Sequence, residues 1–235
     1  MIKLAKPHHE GHRTKHIGWL RASVLGANDG LISTSSLLVG MAAANATPQI
    51  ILITAVASLT AGALSMAAGE YVSVSSQADT EAADMAKERR ELEHAPEAEL
   101  LELTHIYVQR GLDKALAHQV AEQLTAHDAL GTHLRDELGI SEALAARPVQ
   151  AALASAAAFS VGALPPILLA WLWHGSSLPI AISVVTLILL AVLGALAGRL
   201  GGASMTKGAL RVLFWGAMAL GATGLIGRLF GVATG

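Results

Sequence analysis

The chain has 235 residues, 53% hydrophobic and 14% charged, with a formal net charge of −2 and a mean hydropathy of +0.51. A soluble domain carries about 25% charged residues, so a wholly soluble protein is disfavoured. The absence of cysteine excludes disulfides and thiolate metal sites.

The charges are segregated. Of 18 acidic residues, 15 lie between Asp79 and Glu142, and none follows Ala143. From Tyr71 to Leu144 the chain carries a formal −9, and the remainder carries +7. An acidic, polar insert therefore interrupts an apolar chain. That pattern suits a cationic partner and argues against nucleic acid.

Residues 1–19 read as a polar, basic tail without the apolar stretch of a cleavable signal peptide. Its histidines fit either a metal-collecting tail or an ordinary solvated one. A bilayer core needs roughly 20 mostly apolar residues of helix. Five stretches qualify: Leu20 to Ala44, Pro48 to Tyr71, Pro148 to Trp173, Leu178 to Leu200 and Ala209 to Val232. Pro48, Pro148 and Pro179 stand at helix starts, where a missing N–H costs nothing. Pro165-Pro166 inside the third stretch predicts a kink or a short unwound segment. Glycines such as Gly26, Gly30, Gly194 and Gly198 predict close helix packing.

Lys3, Lys6, Arg13, Lys15 and Arg21 precede the first stretch, and Arg199, Lys207 and Arg211 flank the link between the fourth and fifth. The loops near Asn45 and His174 carry no Lys or Arg. This bias places the N-terminus and the acidic insert in the cytoplasm, with Arg228 a mild exception. The expected fold is all-α: a polytopic membrane protein with five transmembrane helices and a helical cytoplasmic domain at 72–146, inserted between helices 2 and 3.

The insert reads as consecutive helices. The first continues the second span to Pro96, and others run to Gly111 and to about Gly131. "THLRDELGI" forms a short last one. Leu100, Leu101, Leu103, Ile106, Tyr107, Val108, Leu116, Val120 and Leu124 offer only a small core. Glu88 and Glu91 are three apart, as are Glu99 and Glu102, so each pair shares a helical face. A hairpin at Pro96 would bring four carboxylates together, repelling one another and welcoming a divalent cation. His133 and Glu137, at i and i+4, add a nitrogen and an oxygen. The alternative is that these glutamates only solvate exposed helices beside Arg89 and Arg90.

Asp29 and Glu70 are the only acids in or bordering the spans. Asn28-Asp29-Gly30 is a turn signal, but a turn there would make the number of spans even and spoil the charge bias. An ionised carboxylate in a membrane helix costs about 2.5 kcal/mol or more on insertion scales, so it marks a functional position. Met66 lies one turn before Glu70, and Asn28, Ser33, Ser65 and Ser73 add neutral oxygens. A carboxylate with a thioether suits first-row transition metals better than Mg²⁺ or Ca²⁺. It matches weak, reversible binding of Fe²⁺ or Mn²⁺, with protons able to replace the metal. A packing role for Met66 is the alternative.

"GANDGLISTSSLLVG" followed by "LSMAAGEYVSVSSQADTE" resembles the vacuolar iron transporter family, and the likeness covers nearly the whole chain. The resemblance implies a homodimer that exports Fe²⁺, often also Mn²⁺, from the cytosol in exchange for protons. It implies a pathway at the dimer interface using Asp29 and Met66, with Glu70 as the glutamate of the GEY motif. It further implies a cytoplasmic metal-binding domain using Glu88, Glu91, Glu99, Glu102 and Glu137. The chain departs from eukaryotic members at "THLRDELG", where His133 and Leu134 replace adjacent methionines. That change makes the site harder and affects metal preference. The expected location is a bacterial plasma membrane. The metal is substrate rather than prosthetic group, and no cofactor or enzyme activity is expected. The competing reading is a membrane-anchored metal buffer or sensor that moves nothing.

Overall fold

The computed structural model describes residues 17–140, 146–173 and 175–233. The N-terminal tail, with its basic residues and histidines, lies outside the described residues, as does His174. Seven helices follow in order: α1 Ile17–Ala43, α2 Pro48–His94, α3 Pro96–Gln109, α4 Lys114–Asp136, α5 Pro148–Leu172, α6 Leu178–Leu200 and α7 Met205–Ala233. The chain divides into two compact units. One is Val72–Pro148, and the other joins the residues up to Tyr71 with those from Val149 onward. The second half of α2 belongs to the former and its first half to the latter.

In the larger unit α1, α2 and α5–α7 share a core that includes Leu38, Ala55, Phe159, Ala163, Ile182 and Leu220. Residues such as Val161, Leu168, Ile180, Ile188, Leu210 and Leu229 point outward instead. An apolar core under an equally apolar outer surface is what a lipid environment asks of a helix bundle. Among the described residues, α2, α5, α6 and α7 are long and apolar enough to cross a membrane. The sequence predicts five such helices. α1 has the length, 27 residues, but Asn28, Asp29 and the run from Ser33 to Ser36 make it less apolar than the other four.

Gly30 and Gly162 let α1 and α5 meet backbone to backbone. A Cβ on Gly30 would collide with the Phe159 carbonyl, and one on Gly162 with the Ala27 carbonyl. Gly30 therefore serves helix contact within α1 and not a turn. Ser35 and Thr186 tie α1 to α6 by a buried hydroxyl hydrogen bond of 2.7 Å. α5 stays helical through Pro165-Pro166, without the unwound stretch that the prolines predict.

In the Val72–Pro148 unit, α3 packs on α4 through Leu103, Tyr107, Ala117 and Ala121, with Leu100, Val120 and Leu124 at the margin. Leu101, Val108 and Leu116 are exposed and do not join this core. α3 ends at Arg110 and Gly111, whose φ of +100° suits glycine. Asp113 caps α4, its Oδ1 accepting from the N–H groups of Ala115 and Leu116 at 3.0 Å each. The break expected near Gly131 falls at Asp128, where the backbone leaves helical geometry.

Candidate metal centre and membrane cleft

Three helices of the Val72–Pro148 unit converge on one buried point. α2 carries Glu88 toward its end, α3 carries Glu99 in its first turn, and α4 carries His133 in its last turn with Glu137 as C-cap. One ligand-capable atom from each of these four residues lies within 4.8 Å of the others. Nδ1 of His133 stands 2.9 Å from Oε1 of Glu88, 3.0 Å from Oε2 of Glu137 and 3.8 Å from Oε2 of Glu99. His133 is fully buried, Glu88 and Glu99 nearly so, and Glu137 opens the cluster to one side.

An imidazole Nδ1 carries one hydrogen at most and cannot serve three carboxylates. Its hydrogen bond goes to Glu137, and Oε1 of Glu88 is left buried without a hydrogen-bond partner, as is Nε2 of His133. Burial, and then the charge of Glu137, pushes the Glu88 carboxyl up to about 7 against the opposing pull of His133. Burial, and then the charge of Glu102, also raises Glu99. Three acids around one imidazole leave negative charge uncompensated, and a divalent cation removes that cost.

The donor set is three oxygens and one nitrogen. An ion about 2.1 Å from each donor keeps its ligand atoms within about 4.2 Å of one another, so this cluster needs only a small contraction to close on one. Oxygen and imidazole donors suit Fe²⁺ and Mn²⁺ as well as Zn²⁺.

The two glutamate pairs split. Glu88 and Glu99 turn inward, whereas Glu102 is exposed and Glu91 is part-exposed, its Oε2 paired with Lys87 Nζ at 3.3 Å. In each pair the three-residue offset leaves the first member in the cluster and the second at its rim. Asp136, which the sequence reading passed over, is the best-bonded acid nearby. Tyr107 donates to it at 2.9 Å, Arg110 at 2.7 Å and Arg135 at 2.9 Å. Burial works to raise its carboxyl, but those hydrogen bonds win and hold it down to about 2.

In the larger unit, Asp29, Ser33, Ser58, Ser65, Met66 and Phe159 line a cleft of about 360 Å³. α1 supplies the carboxylate, α2 the thioether and two hydroxyls, and α5 the ring. Asp29 is exposed. Asn28, whose Oδ1 is buried without a hydrogen-bond partner, is not among the lining residues. Glu70, half-buried one turn beyond Met66, and Ser73 are not among the lining residues. Ser58 and Phe159 gave no sequence signal, since a lone serine and a lone phenylalanine in apolar helices are ordinary.

Apolar, outward-facing helices that carry a polar cleft define an all-helical, multi-pass membrane protein, and the comparisons give its family. Residues 20–228 match a family model described as the VIT family. A protein named vacuolar iron transporter from Acanthamoeba castellanii is 49% identical over 216 residues, covering 90% of this chain and 78% of its own. Vacuolar iron transporter homolog 3 of Arabidopsis thaliana is 38% identical, over 91% of this chain and 86% of its own. Homolog 5 of Oryza sativa subsp. japonica is 37% identical, over 90% and 80%. The chain belongs to the VIT family, and it is not an enzyme.

Proposed function

We propose that this protein exports Fe²⁺, and Mn²⁺ or other divalent transition metals, from the cytosol in exchange for protons. The observation that carries the reading is the pairing, in one chain, of the buried Glu88–Glu99–His133–Glu137 cluster with the Asp29–Met66 cleft on apolar helices. The names of the relatives support iron as cargo. The Val72–Pro148 unit faces the cytosol and collects metal there, as the distribution of Lys and Arg favours. α1 is the fifth membrane span, with the N-terminus cytosolic, in a bacterial plasma membrane.

The chain works as a homodimer. Asp29 stands exposed on one protomer, and a charged group facing hydrocarbon is too costly to leave uncovered. A second copy closing on the cleft supplies the missing polar wall. Asp29 and Met66 then hold the ion weakly, and a proton arriving at the Asp29 carboxylate displaces it.

Proteoliposomes loaded with a pH dye test this. Fe²⁺ or Mn²⁺ added outside should enter while the lumen becomes more alkaline, and Asp29→Ala should reduce both signals to the level of empty vesicles. Metal binding with no flux would instead make the protein a membrane-anchored buffer or sensor. Flux unchanged by Asp29→Ala would move the pathway away from the cleft.

A further inference from the structure

The stretch of α4 that carries His133 is not a plain continuation of the helix before it. At Asp128 the backbone becomes extended, with φ −160° and ψ 86°, and the Asp128 Oδ1 accepts a hydrogen bond from the Gly131 N–H at 3.0 Å. This is N-cap geometry, so residues 129–136 form a short helix with its own start. A Cβ on Gly131 would meet the Asp128 carboxylate, which would then have to shift from its capping position.

The other end is fastened to α3. Tyr107 donates its hydroxyl to Oδ2 of Asp136 at 2.9 Å, and Arg110 donates Nη1 to Oδ1 at 2.7 Å. Arg110 also donates Nη2 to the main-chain oxygen of Asp136 at 2.7 Å, a helix-end carbonyl of the kind that needs an outside donor. Glu137 is the next residue, and α3 is the helix that supplies Glu99.

Glu137 needs such restraint. It is an acid at a helix C-terminus, where the helix dipole disfavours negative charge, and it faces the carboxylates of Glu88 and Glu99. Left free, its side chain would swing to water, and Gly139, at φ +68°, follows closely as a ready bend. The two arginines near it bond Asp136 and not Glu137. Arg110 also holds the Asp136 main chain, so the backbone is fixed through Asp136 and not through a charge placed on Glu137.

We propose that residues 129–137 act as a clip fixed at both ends, in which Asp128, Asp136 and Arg110 are positioning residues. They set His133 and Glu137 opposite Glu88 and Glu99 so that the four can close on one divalent ion. The proposal rests on the metal reading of that cluster.

Full-length protein in nanodiscs, in an Asp29→Ala background so that only this cluster reports, separates the two claims. Mn²⁺ affinity and the visible absorption of bound Co²⁺ are measured beside the Tm of the metal-free protein. Asp136→Asn, Arg110→Ala and Asp128→Ala should each weaken Mn²⁺ binding by about tenfold or more and alter the Co²⁺ bands, in line with the loss of an outer partner of a metal ligand. Asp128→Asn caps as well as aspartate and should restore wild-type binding. If His133→Ala binds Mn²⁺ as the parent does, the metal reading itself fails. If His133→Ala loses the ion while the other variants keep parental affinity and Co²⁺ spectrum, the clip proposal alone is overturned. It is also overturned if Asp128→Asn is as impaired as Asp128→Ala.

Discussion

His133 and Glu88 meet inside the Val72–Pro148 unit, Nδ1 to Oε1 at 2.9 Å, with both side chains buried. A contact of this kind between an imidazole and a carboxylate that also faces two other acids is costly without a counter-charge. Its natural complement is a cation held by the same atoms.

The inner and rim glutamates should therefore separate under mutation. Glu88→Gln, Glu99→Gln and His133→Ala each remove a donor and should weaken Mn²⁺ binding by roughly 10- to 100-fold. Glu91→Gln and Glu102→Gln remove only nearby charge at the surface and should cost a few-fold at most, less at high salt. Titration calorimetry on the five variants checks this. Equal losses across all five would mean that the cluster binds ions diffusely and not at a defined centre.

Glu88 links the site to pH. Its carboxyl titrates at about 7 in the folded protein against 4.5 in an unperturbed one. Between those values the folded chain keeps a proton that the unfolded chain has lost. The stabilisation from this group is complete below 4.5 and is lost as pH rises through about 7. Metal binding requires the carboxylate, so affinity moves oppositely, rising up to about tenfold per pH unit and levelling above 7. Without metal, the protein should be more heat-stable at acid pH than at alkaline pH as far as Glu88 contributes. Glu88→Gln should flatten that dependence, and an unchanged slope in the variant would assign it to another group.

Within the cleft, Met66→Leu tests the thioether while preserving volume. Transport of Fe²⁺ should slow, with a larger loss for this softer ion than for Mn²⁺, because leucine deletes only the sulfur donor. Asp29→Asn should stop both ions. Parallel flux measurements on the two metals decide it, since equal slowing would make Met66 a packing residue.

Gly162→Ala puts a methyl group where the Ala27 carbonyl already stands. The close pairing of α1 and α5 must then open, at a cost of roughly 1–3 kcal/mol. A lowered Tm in detergent, with metal binding by the acidic unit retained, is the expected result. An unshifted Tm would mean that the two helices part without penalty.

Much of this arrangement is legible in the residues. Pro48, Pro96 and Pro148 mark helix starts, and the position of the acids outlines the separate unit. The spacing of Glu88 with Glu91, Glu99 with Glu102 and His133 with Glu137 brings into consideration the four side chains that gather in the cluster, together with two that do not. What it could not supply was direction. Glu91 shares a face with Glu88 yet turns to Lys87, because three residues of helix rotate the side chain far enough to exchange burial for water. The sequence predicts the break in α4 at Gly131, the residue with breaker chemistry, whereas Asp128 makes it by capping. Phe159 and Ser58 reach the cleft only through the packing of α5 and α2 around α1, and nothing local announces such meetings.

The modest apolarity of α1 bears on how the protein is made. If α1 spans the bilayer, it reaches the insertion machinery before α2, and Asn28 and Asp29 weaken its own preference for lipid. The far more apolar opening of α2 follows after only the residues from Ala44 to Thr47. The two helices are best delivered as a pair, with the second drawing the first into place. Membrane entry then waits until α2 has emerged from the ribosome, and mutations that reduce its apolar character should appear first as failed insertion of its neighbour.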